Sequence, residues 1–150
     1  PEEARRRILY GMKQCDIMKI SEEEVAFVSE QESLEKGVSF IRDNSDIKIL
    51  FVTLGNKGSI AYYKDEKIYC GGIHQEHVVD TTGAGDTFCG AVLSRILELG
   101  TDALTEKDIR EMLLFANAAA SIVVTRKGAL CSMPEPEEIR AASSLIDKVL

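Results

Sequence analysis

Seven consecutive residues, Asp80-Thr81-Thr82-Gly83-Ala84-Gly85-Asp86, put two glycines, two carboxylates and two hydroxyls into the space of a single turn. A glycine turn that runs into a helix makes an anion site. The first helical amides have no internal partners, and the helix dipole places partial positive charge on them. Gly83 and Gly85 carry no Cβ, so a phosphate can approach the backbone closely. Asp86 falls in the first helical turn and has two readings. It complements the dipole, an effect worth about 0.3–1 kcal/mol, or it is a general base that takes a proton from a hydroxyl attacking a phosphoryl group held by the amides.

The elements that must hold this turn are readable on either side of it. His77-Val78-Val79 is a short β-like run, and from Asp86 to Leu99 the residues Phe88, Val92, Ile96 and Leu99 recur at helical spacing. Upstream, Ala4, Ile8, Leu9 and Met12 predict a helix up to about Gln14, and Asp16–Ile20 a short strand. Ser21 followed by Glu24 is a capping box that starts the next helix. A further helix spans about Ser33–Arg42, with Leu34, Val38 and Ile41 facing inward. Ile47–Leu54 is almost continuously apolar, the pattern of a strand buried on both faces. It ends at Gly55-Asn56-Lys57-Gly58, and Ser59–Tyr63 and Ile68–Cys70 read as two more strands around a polar turn at Lys64–Lys67.

Downstream, Gly100 is a helix stop, and Thr105 with Asp108 is another capped start. Ile109–Val124 is strongly helical, and Asn117 is the polar exception in its run of small residues. Asn117 either caps a neighbouring backbone group or faces a ligand. Thr125-Arg126-Lys127-Gly128-Ala129 is a basic helix end with a glycine, as the dipole favours. A last helix is expected to run to Leu150. Strands alternating with helices predict an α/β fold with a doubly wound, largely parallel sheet. Ligands bind such sheets at the carboxyl ends of strands, where both Gly55–Gly58 and Gly83–Asp86 fall.

Composition narrows the function. With 150 residues, 45% of them apolar, the chain is long enough for one domain with a real core. A net charge of −7 and the absence of a basic run argue against nucleic acid as a partner. No apolar run approaches the roughly 20 residues that cross a bilayer, so no membrane partner is expected. Cys15, Cys70, Cys89 and Cys131 are scattered, without zinc-ligand spacing, which fits free thiols in a reducing, cytoplasmic setting. Cys89, three residues after Asp86, is read as a packed thiol, and His74 and His77 are given no catalytic part.

The stretch from Asp80 to Phe88 resembles the D-T-x-G-A-G-D-x-F signature of the ribokinase-like (PfkB) carbohydrate kinases, and matches it at every fixed position. The resemblance implies that Asp86 is the catalytic base and that Gly83, Ala84 and Gly85 form the anion hole. Val52-Thr53-Leu54-Gly55 through Gly58 is similar to the family's V-T-L-G-x-x-G segment, which implies that Thr53, Gly55 and Gly58 lie on the nucleotide side. Asn117 is implied near the adenine, and Gly128 in the loop that closes the site. Where many members carry N-x-x-E this chain has Ser21 and Glu24, a form closer to the fructokinase branch. Glu24 is thereby implied near Mg²⁺, through water rather than by direct ligation. Asp80, Thr82, Val123, Gly128 and Ser132 match positions that can hold a monovalent cation such as K⁺.

The implied activity is that of an ATP- and Mg²⁺-dependent sugar kinase, most similar to fructokinases, acting on a primary hydroxyl. A kinase for 2-keto-3-deoxygluconate, ribose or a nucleoside, and a non-catalytic nucleotide-binding fragment, are the alternatives. Members of the family are about twice as long. Residues 1–150 therefore read as the C-terminal nucleotide-binding and catalytic half, without the N-terminal sugar-binding half and lid. Such a half exposes core surface, so a homo-oligomer is expected.

Overall fold

The computed structural model describes residues 1–146, with the side chains of 145 and 146 left undescribed; the expected end of the last helix, 147–150, lies outside the described residues. Among the described residues, six α-helices and four strands follow one another. They are α1 (Glu2–Met12), β1 (Ile17–Ser21), α2 (Glu22–Ser29), α3 (Leu34–Asp43), β2 (Ile49–Thr53), β3 (Gly58–Tyr63), β4 (Glu66–Gly71), α4 (Ala84–Leu99), α5 (Glu106–Val123) and α6 (Pro136–Ile146). The fold class is α/β, as the alternation of patterns predicts. The strands form one sheet in the order β1-β2-β3-β4. β1 and β2 pair in parallel, Ile17 opposite Ile49 and Ser21 opposite Thr53, with α2 and α3 as the crossover that parallel pairing demands. Only Lys64 and Asp65 separate β3 from β4, and four residues separate β2 from β3. Connections that short allow only antiparallel neighbours, so the sheet is mixed, with its parallel part at β1–β2.

The chain divides into two compact units, residues 1–54 with 60–67, and residues 55–59 with 68–150. The first has its own core. Val25 and Val28 of α2, Val38 and Ile41 of α3, and Leu50 and Val52 of β2 cluster with Ile20, Ile60 and Tyr62. In β2 the residues Ile49, Leu50, Phe51 and Val52 are all removed from solvent. Each contributes about 1.5–3 kcal/mol by leaving water. α2 starts as its sequence requires. Ser21 Oγ accepts from the Glu24 amide at 3.2 Å, and Glu24 Oε2 accepts from the Ser21 amide at 2.8 Å.

The second unit is built on α4 and α5. Phe88 and Val92 of α4, and Ile109, Met112, Leu113 and Ala116 of α5, are buried. α5 begins at a second capping box, where Thr105 Oγ1 accepts from the Asp108 amide and Asp108 Oδ2 accepts from the Thr105 amide. Not every apolar residue of these helical patterns is buried. Leu99 and Ile8 are exposed, each at the edge of its helical stripe where the face turns toward solvent. The expected strand at His77–Val79 is not formed either. Its side chains stand out in solvent, and the Val79 and Asp80 amides both donate to the Val124 carbonyl, at 2.8 and 3.3 Å. That carbonyl, at the end of α5, takes the place of a neighbouring strand.

Candidate active site

The key turn opens where the sequence places it. Gly83 is the N-cap of α4, with φ +84°, a left-handed backbone that glycine adopts at little cost. It has a second requirement: a Cβ on Gly83 would lie 2.9 Å from Ala129 Cβ and 3.1 Å from Ala129 Cα. The segment after α5 therefore packs directly on the turn, and only a bare Cα fits between them.

The amides at this helix start are not equivalent. The Ala84 amide donates to Thr81 O at 3.3 Å, and the Thr87 amide to Gly83 O at 2.8 Å. Those of Gly83, Gly85 and Asp86 have no acceptor among the described residues. Three unpaired donors at the positive end of a 16-residue helix suit a phosphate group. The Ala84 amide, expected to share in the anion hole, is already committed within the turn. Asp86, the third residue of α4, is exposed, and its carboxylate has no protein partner among the described residues. The neighbouring hydroxyl of Thr87 is buried and unpartnered.

Asp80 ties the start of α4 to the end of α5. One carboxylate oxygen accepts from the Thr82 amide at 2.9 Å, the other from the Gly128 amide at 3.1 Å. The Thr82 amide first, then the Thr82 hydroxyl and the Gly128 amide, hold this carboxyl below the usual aspartate range, with the Lys127 charge adding to them. The clasp continues to Ser132, which is buried and whose hydroxyl donates to Gly128 O and to Ala129 O, the latter at 2.7 Å. Asp80, Thr82, Gly128 and Ser132 are thus brought together. Val123 is fully buried in α5, and its carbonyl accepts from the Arg126 amide at 3.0 Å. The adjacent Val124, which no sequence pattern singles out, supplies the carbonyl that meets Val79 and Asp80.

Gly55 and Gly58 bracket a single 3₁₀ turn, Gly55–Lys57, and both have positive φ, +60° and +107°. A Cβ on Gly55 would meet open space, whereas one on Gly58 would fall 2.2 Å from Cys70 O. Asn117 is 7% exposed, and both ends of its side-chain amide are engaged. Oδ1 accepts from Ser59 Oγ at 2.9 Å, and Nδ2 donates to Cys70 O and Gly71 O, each at 3.2 Å. Of the two readings open from sequence, these bonds are those of a residue that caps neighbouring backbone.

Thr53, the half-buried last residue of β2, and Glu24 belong to the other unit. One oxygen of Glu24 is spent on the capping box, leaving the other for a water. No cluster of three or more His, Cys, Asp or Glu side chains able to hold a metal occurs among the described residues. A Mg²⁺ ion, which keeps several waters and favours phosphate oxygens, fits this chain as a passenger of the nucleotide rather than in a protein cage. Among the described residues no helix is long and apolar enough to cross a membrane, and no disulfide joins any of the four cysteines.

Comparison with known proteins gives these features a class. A fructokinase from Vibrio cholerae O395, solved with fructose, ADP and calcium, matches the fold with a TM-score of 0.84 and 30% identity over 94% of this chain and 45% of its own. A protein described as ribokinase II from E. coli, solved with ATP and Mg²⁺, matches at 0.81 and 29% over 96% and 44%. The fold is therefore ribokinase-like. In sequence, fructokinase-1 of Zea mays is 41% identical over 140 residues, which is 92% of this chain and 42% of that protein. The family model for pfkB family carbohydrate kinases matches residues 1–136. The chain belongs to the pfkB family of carbohydrate kinases, and it spans about four tenths of the length of the relatives it matches.

Proposed function

We propose that residues 1–150 are the C-terminal, nucleotide-binding and catalytic half of an ATP-dependent sugar kinase whose acceptor is fructose. The observation that carries this reading is the exposed, unpartnered carboxylate of Asp86 within one helical turn of the open Gly83, Gly85 and Asp86 amides. Those donors face developing negative charge without reorganising, which is how electrostatic stabilisation of a transferring phosphoryl group is achieved. Asp86 takes the proton of the acceptor's primary hydroxyl as its oxygen forms a bond to the γ-phosphorus and the bond to the ADP oxygen breaks. Gly55 and Gly58 offer backbone on which a nucleotide can lie. Mg²⁺ arriving with the nucleotide would neutralise charge on the phosphates, and Glu24, in the first unit, is the residue read as meeting one of its waters. The clasp of Asp80, Thr82, Gly128 and Ser132 presents carbonyl and hydroxyl oxygens suited to K⁺.

Fructose is favoured by the 41% identity to a maize fructokinase. A reducing, cytoplasmic setting, in which thiols remain free of disulfides, is part of this reading. Because the chain corresponds to only 42% of that relative, this polypeptide by itself is read as binding nucleotide without transferring phosphate. In the intact gene product, Asp86→Asn is expected to lower turnover at least about 10²-fold while nucleotide affinity changes little; near-normal turnover would overturn the assignment of the base. A coupled assay over fructose, ribose, 2-keto-3-deoxygluconate and a nucleoside decides the acceptor.

A further inference from the structure

Between α5 and α6 the chain has little apolar anchorage. Leu130, Cys131 and Met133 all stand in solvent, so their burial cannot hold the segment in place. Polar contacts do so instead, and the Arg126 side chain makes two of them. Its Nη1 donates to Ser132 O at 3.4 Å, and its Nη2 donates to Glu138 Oε1. The other oxygen of Glu138 accepts from the Glu135 amide at 2.9 Å, at the start of α6. The Arg126 guanidinium first, then the Glu135 amide, hold the Glu138 carboxyl below the usual glutamate range. A planar fork of donors can serve the carbonyl and the carboxylate together, which the point charge of a lysine does less well. All of these residues lie within one compact unit.

The contacts continue inward from Ser132. Its hydroxyl donates to Gly128 O and Ala129 O; the Gly128 amide meets Asp80, and Ala129 packs on Gly83 at the head of α4. From this geometry we infer that the side chain of Arg126 is a positioning residue for the phosphoryl turn. Through Ser132 it sets how Ala129 seats on Gly83, and so where the open amides of Gly83, Gly85 and Asp86 point; this rests on the reading of those amides as the site of the transferring phosphoryl group. A bound nucleotide can shift to follow amides that are slightly displaced. A phosphoryl group in transfer cannot, because its position is set by the attacking and leaving oxygens. The loss on breaking the tie therefore falls on kcat more than on KM. The Arg126 and Glu138 side chains are 38% and 43% exposed, so water screens their charges and the fold survives without the pair.

The test compares Arg126→Ala, Arg126→Lys and Glu138→Gln with wild type in the intact gene product. Arg126→Ala is expected to lower kcat about tenfold while KM for ATP stays within about threefold, with a urea midpoint near that of wild type. Arg126→Lys should recover part of the loss, because it keeps the charge facing Glu138. Glu138→Gln should lower kcat less than Arg126→Ala, and its combination with Arg126→Ala should cost less than the two singles multiplied. In the ligand-free protein, hydrogen exchange of the bonded amides of Ala84, Thr87, Gly128 and Ser132 should speed up in Arg126→Ala. A rise in KM for ATP at constant kcat would overturn the inference in favour of direct contact with the nucleotide. Unchanged exchange at those amides would overturn it too, and that result does not depend on the protein being a kinase. A wild type that transfers no phosphate, with the exchange effect present, would instead refute the proposed function.

Discussion

The packing of Gly83 against Ala129 allows a prediction with a worked magnitude. Gly83→Ala places a Cβ on a backbone with φ +84°, where an L-residue costs about 1–2 kcal/mol. That Cβ also arrives 2.9 Å from Ala129 Cβ, well inside the roughly 3.5–4.0 Å at which carbon atoms attract. Overpacking of this kind costs about 1–3 kcal/mol, so the two effects together amount to about 2–5 kcal/mol. The components separate in a second variant. Ala129→Gly removes the opposing methyl, so the pair Gly83→Ala/Ala129→Gly should recover much of the steric part and keep the backbone strain. Urea denaturation of the four proteins, with ATP affinity measured on each, reads both quantities. If Gly83→Ala lies within about 0.5 kcal/mol of wild type, as an unremarkable surface substitution would, the turn is not seated on Ala129 and the reasoning is wrong.

Two further outcomes are expected. Asp80 has its folded-state carboxyl below the usual range because the Thr82 and Gly128 amides bond the ionised form; the stability it supplies is therefore full above the ordinary aspartate pKa of about 3.9 and disappears as pH falls through the lower folded value. Denaturation of wild type and Asp80→Ala at neutral pH and near pH 3 should show a gap that narrows in acid, and a constant or widening gap would contradict the clasp. If K⁺ is held at Asp80, Thr82, Gly128 and Ser132, the intact enzyme should turn over faster in K⁺ than in the tetramethylammonium salt at equal ionic strength. Equal rates would remove the cation from the reaction.

What the sequence discloses here is what neighbours in the chain decide. The capping boxes at Ser21/Glu24 and Thr105/Asp108 form because donor and acceptor are three residues apart, and β2 is legible because burial on both faces leaves a run of apolar side chains. The glycine turn ahead of α4 is legible for the same reason, its conformation and the helix that follows being local. The failures are at long range. Val78 and Val79 have strand-forming side chains, yet nothing in a sequence says that the end of α5 will take their amides. The choice of Asn117 between ligand and backbone rests on Ser59 and on Cys70–Gly71, which lie 58 and 46–47 positions away. Ala129 looks like an ordinary small residue until Gly83 is found beneath it. Val124 carries no polar side chain at all, so its part in the site, played by a carbonyl, leaves no trace in residue type.

The contact of Gly58 and Gly72 with facing backbone has a consequence for anyone scanning this protein by saturation mutagenesis. Both positions would return profiles as intolerant as that of Asp86, because every alternative residue drives a Cβ into a carbonyl oxygen at 2.2 Å. A score sheet alone would rank three equal hot spots. Only Asp86 would keep a folded protein when silenced by its isosteric amide, so protein abundance, read beside activity, tells the acid that handles a proton from the glycines that merely leave room.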